Sequence, residues 1–193
     1  MRADPLQRFI TLLSLVSVVA LTGCAAAVVG GAAAGGYLLG EDRRTAAVLA
    51  DDEGIELRAA NRVSEKYPSA HVNATSYNRT VLLTGEAPTA EAKADIEKIT
   101  REVPNVRGTV NELTVAPATT LSSRANDSYI TSKVKARFVD NGVFNPIHVK
   151  VVTEDGIVYL LGIVKKPEAD RATEIARTTS GVRRVVRVFE YQG

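Results

Sequence analysis

The chain contains its own duplicate, and this limits its possible folds more than any other feature. Setting HVNATSYNRTVLLTGEAPTAEA (71–92) over HVKVVTEDGIVYLLGIVKKPEA (148–169) places His71 on His148 and Val72 on Val149. It also places Val81 on Val158, Leu83 on Leu160 and Gly85 on Gly162, and Glu91-Ala92 falls on Glu168-Ala169. Further on, NVRGTVNEL matches GVRRVVRVF after a one-residue slip. Such self-similarity marks one supersecondary unit used twice. The chain therefore divides into modules at 51–116 and 127–192, joined by a linker over 117–126 rich in Pro, Ser, Thr and Ala.

Each module reads as α-β-β-α-β. Ile130, Val134 and Phe138 recur every four residues and predict a helix, with Asp127 or Ser128 available to cap its start. Ile55, Ala59 and Val63 give the weaker counterpart. A strand over 148–153 leads into Glu154-Asp155-Gly156, a strong hairpin signal because a two-residue turn needs positive φ. Asn78 takes that place in the first module. The second strands contain Gly85 and Gly162, which point to a bulge or to close helix packing. A second helix follows Pro88 or Pro167, and a last strand closes each module over 106–115 or 182–191. The fold class is α+β, each module packing two helices on a three-stranded mixed sheet.

The first 23 residues read as targeting. Arg2 and Arg8 precede an apolar run over 9–21, too short for a comfortable span, which ends in Leu21-Thr22-Gly23-Cys24. That ending resembles a lipobox, so 1–23 is expected to be a lipoprotein signal peptide and Cys24 the site of lipid attachment. Cys24 is the only cysteine, which excludes an intramolecular disulfide. Residues 24–50 then form an Ala/Gly-rich tether. Ala25 stands where an aspartate tends to signal inner-membrane retention, so the expected location is the periplasmic face of the outer membrane.

Composition narrows the function. A net charge of +2 carries no nucleic-acid signature. Two histidines and one cysteine do not build a usual zinc site, and His71 and His148 read as strand-start packing, so no metal is expected. No Ser-His-Asp, paired-carboxylate or Gly-rich phosphate motif stands out, so no catalytic residue and no cofactor is expected. The charge is uneven: residues 127–191 carry net +3 and residues 53–115 net −1. Tyr129, Lys133 and Arg137 form an i, i+4, i+8 row beside the core row. An aromatic with cations on one helix face suits a lipid headgroup layer, though such a row is also the ordinary solvated face of a helix. Arg183, Arg184 and Arg187 on the last strand read as a guard against edge-to-edge aggregation.

The element order, with HVKV…DGIVYLLG and SGVRRV, resembles the BON domain. Two copies behind a lipobox resemble the dual-BON outer-membrane lipoproteins, a likeness covering almost the whole mature chain. It implies a non-enzymatic envelope-integrity protein that gathers at division sites. It further implies that the first helix of the second domain, here NDSYITSKVKARF, contacts anionic phospholipid, with Tyr129 at the aromatic position and Lys133 and Arg137 beside it. The alternatives are a periplasmic protein-interaction adaptor for envelope assembly or peptidoglycan remodelling, with envelope or division proteins as possible partners, and a peptidoglycan-binding spacer.

Overall fold

The computed structural model describes residues 42–192. The signal segment, Cys24 and most of the tether lie outside the described residues.

The two hairpin turns organise both modules. Asp155 and Gly156 have φ of 48° and 69°, and Asn78 and Arg79 have 51° and 65°. Consecutive positive φ values match the right-handed twist of the flanking strands. Each turn is held by an aspartate from the preceding helix. Asp127 accepts from the backbone N–H groups of Asp155 (2.9 Å) and Gly156 (2.8 Å). Asp52 accepts from those of Asn78 (2.9 Å) and Arg79 (2.7 Å), and from Ser76 Oγ (2.6 Å). Both aspartates are buried. Asp127 is thus not a helix cap but a clamp between helix and turn, because its helix begins six residues earlier than the periodicity indicates.

The first module contains α1 (Ala46–Lys66), β1 (His71–Tyr77), β2 (Thr80–Ala87), α2 (Ala90–Arg101), β3 (Gly108–Asn111) and β4 (Thr114–Val115). The second contains α3 (Leu121–Val139), a 3-10 turn (Pro146–His148), β5 (Lys150–Glu154), β6 (Ile157–Val164), α4 (Lys166–Arg177) and β7 (Arg184–Tyr191). In each sheet the first two strands are antiparallel and the last runs parallel to the central one, giving orders β1-β2-β3 and β5-β6-β7. β4 continues the line of β3 along β2. Thr120 caps α3 by accepting from Ser123 N–H, so the last six residues of the segment read as linker are helical. The second helix of the first module starts at Ala90, capped by Thr89 rather than at Pro88.

Alternation along the central strands fills two layers at once. Val81 and Leu83 face α1 and α2, in a core with Ile55, Ala59, Val63 and Ile96. Val158 and Leu160 face α3 and α4, in a core with Ile130, Val134 and Phe138. The residues between them, Leu82, Tyr159 and Leu161, meet with Tyr77 in a third cluster drawn from both modules. The sheets therefore pack against each other with the helices outside, an α/β/β/α stack. This explains the consecutive apolar residues Val81–Leu83 in β2 and Ile157–Leu161 in β6, which face a core on both sides. Each fully buried Leu or Val contributes about 1.5–3 kcal/mol.

The two matched glycines serve backbone approach, not helix packing. A Cβ on Gly85 would lie 2.1 Å from the His71 carbonyl oxygen, and one on Gly162 2.3 Å from that of His148.

Candidate functional site

On α3 the core-facing residues Asp127, Ile130, Val134 and Phe138 fix the rotation of the helix. The opposite face carries Leu121, Ala125, Ser128, Tyr129, Ser132, Ala136 and Val139, all exposed. Their spacing of three and four residues makes one continuous row of the helix surface, and that row holds no charge. Leu121, Tyr129 and Val139 are 81%, 64% and 71% exposed, unusually open for large apolar side chains on one helix.

The predicted residues divide by what holds them. Tyr129 is exposed midway along the row. Lys133 lies on its flank, with Nζ 4.6 Å from the Tyr129 ring centroid and donating to the Ser180 carbonyl. Arg137 is engaged elsewhere. Its Nη1 donates to the Ile175 carbonyl (2.8 Å) and to Thr179 Oγ1 (2.7 Å), and its Nη2 donates to Thr178 Oγ1 (3.2 Å). It therefore satisfies the C-terminal end of α4. Arg62 does the same in the first module, donating to the Glu102 carbonyl at 3.0 Å just past α2. The repetition gives Arg137 a structural role. Lys135, exposed on the other flank, is a cation the sequence reading missed. Leu121 and Ala125 precede the start at residue 127 that the periodicity indicates, and Val139 follows its last repeat, Phe138.

The basic cluster at and just before the start of β7 is paired. Arg183 bonds Asp155 at 2.8 Å, Arg187 bonds Asp170 at 2.9 Å, and Arg184 reaches across to Glu112 of the first module at 3.7 Å. No helix among the described residues is long and apolar enough to cross a membrane.

The BON domain matches this chain twice, over residues 51–117 and 126–193. The chain belongs to the BON-domain family. Its two BON domains are the two modules. The chain is 36% identical to the outer membrane lipoprotein DolP of Haemophilus influenzae, over 99% of both chains. It is 33% identical to a 21 kDa hemolysin of Actinobacillus pleuropneumoniae, covering 78% of this chain and 79% of that one. It is 29% identical to the osmotically-inducible protein Y of Escherichia coli, over 70% of each. This is a DolP-like BON protein along its whole length.

Proposed function

We propose that this protein is a non-enzymatic lipoprotein of the outer membrane, anchored through Cys24 on the periplasmic side, whose second BON domain binds anionic phospholipid. Its work is envelope integrity, exercised at division sites. The observation that carries the reading is the uncharged outer row of α3, centred on Tyr129 and flanked by Lys133 and Lys135. Such a face lets apolar side chains enter the headgroup boundary while cations meet phosphate on either side. Each cation near an anionic surface contributes about 1 kcal/mol, fading within a Debye length. Two of them give weak, salt-sensitive contact, sufficient for a chain whose anchor already keeps it at a membrane. Arg137 helps indirectly by locking α3 to α4.

Vesicle sedimentation tests this. Residues 42–193 should pellet with vesicles containing phosphatidylglycerol, and pelleting should fall with salt. Tyr129→Glu with Lys133→Glu should abolish it. Equal pelleting by the double variant would remove that face from the mechanism. Absence of wild-type binding, with a stable protein captured instead, would favour an adaptor.

A further inference from the structure

Three potential metal ligands, far apart in sequence, converge where the two BON domains meet. His71 opens β1, Glu86 lies near the end of β2, and Glu154 ends β5 in the other domain. His71 Nδ1 stands 3.0 Å from Glu86 Oε2 and 3.9 Å from Glu154 Oε1. One donor atom from each of the three residues falls within 4.8 Å of the others. Bonds of about 2.0–2.1 Å to a tetrahedral ion separate its ligands by roughly 3.3 Å, and the two measured edges bracket that separation.

The charge balance points the same way. The side chains of Glu86 and Glu154 are only 5% and 9% exposed. Among the described residues, the ion-pair contacts of both run to His71 and none to a lysine or arginine. Two buried carboxylates facing one imidazole are short of positive charge. Orientation is already supplied: Asn73 Nδ2 donates to Glu154 Oε2 (2.9 Å), and Thr119 N–H donates to Glu86 Oε2 (2.9 Å). A cleft of about 350 Å³ opens on His71 and Glu154, and its wall also carries Asn73, Arg124, Asp127 and Thr131. Arg124 Nη2 is turned to the Thr119 carbonyl at 3.0 Å.

We propose that His71, Glu86 and Glu154 form an interdomain site for a divalent transition-metal ion, with zinc, which accepts both imidazole and carboxylate ligands, as the probe. Three protein ligands leave the fourth position to solvent in the cleft. Coordination through Nδ1 requires that atom to offer its lone pair, with any ring proton on Nε2, so protons compete with the ion for the site. Because the ligands come from both domains, the ion clamps the domain interface.

The test is calorimetric titration of zinc chloride into the chelator-stripped full chain in detergent, with imidazole nitrogen shifts recorded alongside. The expected result is one ion per chain, a moved His71 resonance and a higher Tm. Glu154→Gln keeps the bond from Asn73 and should weaken binding at least tenfold while its metal-free Tm does not fall. His71→Ala should weaken binding as much, and Glu174→Gln on exposed α4 should leave it unchanged. No saturable zinc heat, or Glu154→Gln binding like wild type, would overturn the proposal.

Discussion

The two BON domains are superimposable in design and opposite in surface. Asp52, Ile55, Ala59 and Val63 on α1 stand 75 positions before Asp127, Ile130, Val134 and Phe138 on α3, and all eight are buried. The same spacing puts Gly54 in the place of Tyr129, Glu53 in that of Ser128, and Ala60 in that of Lys135. Thus α1 has lost the aromatic and a flanking cation and gained an acid. The duplicated inner faces show what the fold requires of a BON helix, and the outer faces show what is free to specialise. Arg62 and Arg137 fall on the inner side of that division, since both secure the end of the neighbouring helix. Arg137 shares the row of Tyr129 in the sequence, and its bonds give it a place in the scaffold as well.

The largest expected effect lies where the domains stop being separate. Leu161→Ala empties the layer between the sheets and should cost about 2–5 kcal/mol. Urea unfolding should then split into two transitions, and a single unchanged transition would mean that the sheets fold as one regardless of that layer.

The turn clamps come next. Asp127→Ala leaves two turn N–H groups without their acceptor and should cost about 1–3 kcal/mol. Asp52→Ala should cost more, because Asp52 also receives Ser76 Oγ and pairs with Arg44 at 3.0 Å. Equal shifts in the urea midpoint would show that those extra partners add nothing.

Smaller effects separate surface from scaffold. Lys135→Gln should weaken vesicle binding by about 1 kcal/mol, roughly fivefold, with Tm unchanged. Arg137→Gln should do the reverse, lowering Tm while leaving sedimentation near wild type. Loss of binding without loss of stability in Arg137→Gln would return that residue to the lipid face.

The smallest difference is electrostatic. Arg43 hydrogen-bonds Glu168 at 2.7 Å, and chiefly for that reason the Glu168 carboxyl drops from 4.5 to about 2. A carboxyl depressed in the folded state stabilises above its unfolded pKa, and that stabilisation drains away as pH falls from about 4.5 towards 2. Arg43→Ala should flatten this part of the pH profile of the urea midpoint. An unchanged slope would deny Arg43 the role.

Much of this was legible in the sequence. The duplication yielded the element order twice, and Asp155-Gly156 marked its turn because few residue pairs accept two positive φ values. The start of α3 was not legible: LSSRAN has the Ser-rich composition of a linker, and its helical state depends on the Thr120 cap and on packing further along. The sheet-to-sheet layer left a trace in the unbroken IVYLLGIV run, but periodicity alone does not say what covers a second face. The His71–Glu86–Glu154 cluster left none, since its members are brought together only by domain packing.

The most direct measurement is residue-by-residue NMR shift mapping of residues 42–193 with phosphatidylglycerol-containing micelles. Shifts should concentrate on Leu121, Ala125, Tyr129, Ser132 and Ala136, and α1 around Glu53 and Gly54 should stay silent. Shifts centred on α1, or equal on both helices, would contradict the account.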